Sequence, residues 1–161
     1  MRFARVLVFF FSLACSLKAA PNEQKEIQEL YRRAVAGDKN AVSQCIEKLE
    51  AVLTTDPKNQ LARVYLGSSY TLRSRDLGFG PTKLRTLRQG LAVMDEAVGT
   101  APNEYKIRLV RALTTSSLPA FLGQRTKSKN DFEWLAQMAK KNPDSFEPDD
   151  LQIIRENSGR R

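Results

Sequence analysis

Gln60–Pro102 reads QLARVYLGSSYTLRSRDLGFGPTKLRTLRQGLAVMDEAVGTAP. In its first half, Leu61, Val64, Leu66, Gly67, Tyr70 and Leu72 recur at close to helical spacing. Glycine inside a helix costs about 1 kcal/mol relative to alanine, so Gly67 predicts a second helix crossing close by. On that reading Gly67→Leu overpacks the crossing, and Gly67→Ala is mild. The linker RSRDLGFGP carries two glycines and Pro81, so no helix runs through it. A second helix starts near Thr82, with Leu84, Leu87, Leu91, Met94, Ala97 and Val98 on one stripe, and Ala101-Pro102 stops it. The stretch predicts two helices folded back on each other.

Shorter versions of this pattern flank it. Ile27, Leu30, Tyr31, Ala34 and Val35 share one helical face, with Asn22 as the expected N-cap and Gly37-Asp38 as the stop. A second helix from Asn40 to Thr54 carries Val42, Cys45, Ile46, Leu49, Val52 and Leu53, and Asp56-Pro57 closes it. The short connection makes these two antiparallel neighbours. Cys45 sits on the apolar stripe and reads as core. Downstream, Ile107, Val110 and Leu113 face inward, Pro119 breaks the helix, and RTKSKN reads as a polar loop. Phe132, Leu135, Met138 and Ala139 carry the next helix as far as Asn142-Pro143. A short helix near Asp149–Glu156 offers Leu151 and Ile154 to cover the open end, as helical stacks require.

The expected fold is therefore all-α: stacked antiparallel helix hairpins at about 23–57, 60–102 and 104–143, with a C-terminal capping helix, in a domain spanning 21–157. Residues 158–161 read as a frayed tail. The pairs end alike, in AVLTTDP, AVGTAP and MAKKNP, and their prolines Pro57, Pro102 and Pro143 lie 45 and 41 residues apart. Helix-pair repeats of about 34 residues closed by proline are tetratricopeptide repeats.

Leu66, Gly67 and Tyr70 fall on the L-G-x-x-Y signature of that family, and Gly90, Met94, Ala97 and Pro102 on its second-helix positions. The chain thus resembles the tetratricopeptide repeat (TPR) family in its central pair. Arg63 stands where the family carries Trp. In the third pair Arg111 stands where it carries Leu, and only Ala112 keeps the small position. The run from Gln60 to about Leu135 also looks like a group of bacterial TPR-like proteins, which implies a fold and no activity. The resemblance implies a concave groove lined by the first helix of each pair. By register that groove contains Leu61, Val64, Ser68, Thr71, Leu72, Lys106, Leu109 and Leu113, together with Ser116 and Ser117. It would take an extended or helical peptide, and Lys106 at its edge implies a preference for acidic flanks.

The N-terminus stands apart. Arg2 and Arg5 precede the apolar run VLVFFFSLA, which is too short for an ordinary transmembrane span, and the small residues of SLKAAP follow. This layout predicts a secretory signal peptide over residues 1–19 or 1–20, and hence a periplasmic or extracellular protein. An uncleaved anchor is the alternative, and the LAC ending at Cys15 resembles a lipoprotein lipobox. Either would bring the chain to a membrane. Loss of Arg2, Arg5 and Lys18 with the leader takes the formal charge from +8 to +5. Cys45 is then the one cysteine left, so no internal disulfide forms.

No histidine occurs, which removes Ser-His-Asp and Cys-His nucleophilic sites and most zinc sites. GFGP lacks the Lys-Ser/Thr of a phosphate loop. The chain is read as no enzyme, with no cofactor and no metal. Asp149-Asp150 reads as helix capping, and Asp95-Glu96 as a solvent face. Two basic clusters remain: Arg73, Arg75, Lys83, Arg85 and Arg88 around Asp76, and Lys106, Arg108 and Arg111. A solvated or ion-paired surface is the simpler reading of both. The alternative is a structural envelope protein whose basic face meets an anionic partner. Aromatics do not alternate with the basic residues, so single-stranded nucleic acid is not expected.

Overall fold

The computed structural model describes residues 21–159. The leader, its cleavage sites, Cys15, Arg160 and Arg161 lie outside them. Seven helices appear among the described residues: α1 (Pro21–Val35), α2 (Lys39–Thr55), α3 (Gln60–Asp76), α4 (Pro81–Thr100), α5 (Tyr105–Ser116), α6 (Arg125–Lys141) and α7 (Pro148–Ser158). Short 3-10 turns occupy Ala120–Leu122 and Pro143–Ser145. α1–α2, α3–α4 and α5–α6 are the three hairpins, and α7 packs on α6. The fold is all-α, a stack of helix pairs closed at one end.

α2 and α3 start on side-chain caps and α4 on a proline. The Asp38 carboxylate accepts from the backbone N–H groups of Asn40 and Ala41, both at 3.0 Å, and opens α2. The Ala41 N–H first, then the Arg33 guanidinium, with a smaller part from Asn40, hold its carboxyl below the usual range. Asn59 caps α3 by accepting from Ala62 N at 2.9 Å. Pro81 begins α4, where its missing N–H costs nothing.

The apolar stripes meet in three core layers. The first joins α1, α2 and α3 through Leu30, Ala34, Val42, Cys45, Leu49 and Leu66. Burial pushes the Cys45 thiol up, against a weak hydrogen bond from Ser69, which leaves it a core residue. The second layer joins α3, α4 and α5 through Val64, Met94, Ala97, Val98, Ile107 and Val110. The third joins α5, α6 and α7 through Leu109, Ala112, Phe132, Leu135, Phe146 and Ile154.

α3 and α4 touch through glycine on both sides. A Cβ on Gly67 would lie 2.7 Å from the Gly90 carbonyl oxygen and 2.9 Å from Met94 N. One on Gly90 would lie 2.5 Å from the Gly67 carbonyl oxygen and 3.0 Å from Thr71 N. The close crossing expected from Gly67 is present, but it is too tight for alanine. Backbone as well as the Met94 and Thr71 side chains occupies the space, and the backbone cannot move aside by a rotamer change.

Other expectations give way to tertiary contacts. RTKSKN is not a loop: it forms the first turns of α6. Its polar residues find partners across the stack, Ser128 Oγ donating to Ala112 O at 3.0 Å and Lys127 pairing with Asp95 at 2.6 Å. The loop is instead 117–124, which Gly123 ends in a left-handed conformation, φ 68°. Val35 and Leu84, placed on apolar stripes by spacing, are exposed. Asp95 is no idle surface acid, since it also accepts from Arg111 at 3.0 Å. Arg111, where the repeat pattern wants Leu, links α4 to α6 by bonding Asp131 as well.

Candidate functional site

The first helices of the three pairs run side by side in the same direction. Tyr31 of α1 meets Ser68 of α3 at 2.7 Å, and Ser68 meets Thr114 of α5 at 2.8 Å. The Thr114 hydroxyl donates to Val110 O, so it accepts from Ser68, which in turn accepts from Tyr31. This chain of hydroxyls ties α1, α3 and α5 together, and a cleft opens nearer the starts of α1 and α3.

The cleft has a volume of about 410 Å³. Its walls are apolar: Ile27 of α1, Leu49 and Val52 of α2, and Leu61, Ala62 and Tyr65 of α3. Gln24, Gln28, Asp56, Asn59 and Lys106 give it a polar rim. The Tyr31 and Tyr65 rings meet edge to face, with centroids 4.7 Å apart, so the aromatic wall is fixed.

The register-based groove is only partly this cleft. Leu61 and Lys106 line it. Val64, Ser68, Thr71 and Leu109 are buried and belong to the interior. Leu72 packs against the first core layer and Leu113 against the third. Ser116 and Ser117 are exposed at the far end of α5. The physical reason is that α3 has α1, α2, α4 and α5 around it, so the face assigned to a partner is covered by its neighbours. Ile27, Gln28, Asn59 and Tyr65 went unassigned. Their signal is the i, i+4 pair Gln24 and Gln28 beside the α1 stripe.

Lys106 is not free to receive an acidic partner. Its ammonium pairs with Glu147 and lies 4.0 Å from Asp150 at the start of α7. Burial opposes its charge, but these carboxylates and Tyr105 outweigh that and hold its pKa above the ordinary value. Tyr105 donates to Asp150 at 3.1 Å and packs on Phe146, with ring centroids 4.3 Å apart. Asp149 and Asp150 both lie in the first turn of α7, where their charge suits the helix dipole, and Asp150 also makes this docking contact.

The other cluster on α5 is likewise neutralised. Asp131, 1% exposed, is bonded by Arg108 at 2.9 Å and by Arg111 at 2.8 Å twice over. Burial penalises the Arg111 charge, and Asp131 and Asp95 overcome that penalty, so its pKa is raised. Arg108 also lies over the Trp134 ring at 4.5 Å.

Of the first basic cluster, two members serve helix ends. Arg75 donates to the carbonyls of Ala34 and Val35 at the end of α1 and pairs with Asp76 at 3.3 Å. Lys83 donates to the carbonyls of Arg75 and Leu77 at the end of α3, both at 3.2 Å. Arg73, Arg85 and Arg88 are exposed, and none has a carboxylate within 4.0 Å among the described residues.

Among the described residues no cluster of Cys, Asp and Glu gathers in metal-holding geometry, and no helix is long and apolar enough to cross a membrane. Comparison of the chain with protein-family models, with curated proteins and with solved structures finds no match.

The tyrosines give the cleft a pH signature. Burial, then Tyr31 and the carboxylates of Asp150 and Glu147, push the Tyr65 hydroxyl up to about 12 from 10.0. Burial also raises Tyr31, against the hydroxyls of Ser68 and Thr114. A phenol whose pKa is raised on folding contributes stability that is complete below its unfolded value. That contribution is lost as pH rises from 10.0 through about 12. Urea melts should therefore show stability falling across this window, and Tyr65→Phe should reduce the fall. An equal fall in the variant would place the alkaline transition elsewhere.

Proposed function

We propose that the chain is a non-catalytic, TPR-like scaffold, exported by its N-terminal leader, that seats an apolar side chain of a protein or peptide partner in the cleft between α1, α2 and α3. The observation that carries this reading is the cleft itself: about 410 Å³ walled by aliphatic and aromatic side chains. That volume suits one large side chain or a short apolar segment. Around it Asp56, Glu147 and Asp150 outnumber Lys106, so the residues flanking the anchor are neutral or basic rather than acidic.

Site-specific photo-crosslinking in the native host tests the reading. A photoreactive residue in place of Gln28, exposed on the rim, should yield a discrete adduct. Leu61→Lys, which sets a charge in the apolar wall, should abolish it. The same probe in place of Glu47, exposed on α2 and outside the cleft, should give none. Equal adducts at both positions, or an adduct indifferent to Leu61→Lys, would remove the cleft from consideration.

A further inference from the structure

The turns inside the three pairs emerge together. α1, α3 and α5 run parallel and each returns through an antiparallel partner, so 36–38, 77–80 and 117–124 all lie at one end of the stack. Four large apolar side chains are exposed among the described residues, and all four are at this end. They are Val35 at 52%, Phe79 at 105%, Leu84 at 45% and Phe121 at 86%. Phe79 and Phe121 stand on two different turns.

Charge is distributed to match. Between Thr71 and Met94 the chain carries Arg73, Arg75, Lys83, Arg85 and Arg88 against the single acid Asp76. Between Leu113 and Asn130 it carries Arg125, Lys127 and Lys129 and no acid. Arg73, Arg85, Arg88 and Arg125 have no carboxylate within 4.0 Å among the described residues. Leu84, Arg85 and Arg88 border one shallow hollow with Pro81, so apolar and cationic groups share a face.

We propose that this end of the stack docks on the surface of an anionic lipid bilayer, with Phe79 and Phe121 entering the boundary between headgroups and acyl chains. Separate aromatic tips do not make the contiguous, packed apolar patch that a protein interface has at its centre. A fluid surface accepts separate tips, and unpaired arginines beside them meet its phosphates. Each basic side chain held near an anionic leaflet raises affinity roughly fivefold. The surface is distinct from the cleft, so the two readings stand or fall separately.

Vesicle binding tests this with the full chain. The probes are phosphatidylcholine vesicles and equimolar phosphatidylcholine–phosphatidylglycerol vesicles. Residues 1–20 are common to every variant, and α1 starts at the opposite end of the stack, so differences between variants report on the turns. Binding should favour the anionic vesicles and weaken with salt. Arg85→Glu with Arg88→Glu, both exposed, should reduce it about a hundredfold with an unchanged thermal melt. Phe79→Trp adds a position-specific readout: brominated acyl chains should quench the new indole beyond the background from Trp134. Three results would overturn the proposal: no preference for anionic vesicles, an indole at position 79 that bromine leaves unquenched, or tight capture of soluble polyglutamate with vesicles ignored. The last would assign the surface to an acidic protein partner.

Discussion

Asp131→Ala should be the most damaging single substitution in the fold, lowering the unfolding free energy by about 3–5 kcal/mol. Asp131 is 1% exposed and is the shared acceptor for Arg108 and Arg111. Arg111 is itself only 13% exposed, and its remaining partner is Asp95 at 3.0 Å. Removing the carboxylate leaves guanidinium N–H groups buried against the third core layer without acceptors, and the cost comes from that desolvated charge. The pair need not be net stabilising to be costly to break. Arg111→Met combined with Asp131→Leu should therefore recover part of the loss, because it removes the more buried guanidinium along with the carboxylate and leaves only Arg108 without its ionic partner. Urea titration of the three proteins measures this. A loss below about 1 kcal/mol for Asp131→Ala would mean that water reaches the site and that the bridge is a surface feature.

The second large effect is expected at Gly67. Alanine there gains about 1 kcal/mol of helix propensity. Its Cβ, however, would lie 2.7 Å from the Gly90 carbonyl oxygen and 2.9 Å from Met94 N, and neither backbone atom can rotate away. The helices must part, which loosens the contact of α3 with α4. Overpacking of this kind costs about 1–3 kcal/mol, so the strain outweighs the propensity gain and Gly67→Ala destabilises. Gly67→Leu should be worse. Gly99 is the control: it lies in the same α4, and nothing stands within 4 Å of a Cβ built on it. Gly99→Ala should leave stability unchanged or raise it by up to about 1 kcal/mol. Chemical melts of both alanine variants decide the matter, and matching shifts would mean the crossing is looser than described.

The two surfaces differ in what built them. The cleft lies where α1, α2 and α3 meet near the starts of α1 and α3, and Ile27, Leu49, Val52, Leu61 and Tyr65 wall it. The turn end arises because two of the turns carry aromatic residues that no core layer absorbs, while the cations beside them sit on the adjoining turns of α3, α4 and α6.

The sequence by itself determined the all-α class, the three pairs and the capping helix. Those rest on local rules: apolar spacing, and proline and glycine stops. It also determined that Gly67 lies at a crossing, since a helix-interior glycine has few other uses. What tertiary structure alone decided is which side of each helix is surface. α3 is enclosed by four neighbours, so Val64, Ser68 and Thr71 became interior while the same spacing left Leu61 on a cleft, and Leu109 of α5 is covered by α6 and α7. The partners of charges were equally illegible. Arg111 lies 20 residues from Asp131, and Lys127 lies 32 from Asp95. Those pairings turned an apparent basic cluster into a neutral bridge and a polar stretch into the start of α6. Helical periodicity fixes an angle around each helix axis, whereas the position of the neighbouring axis comes only from packing all the helices at once.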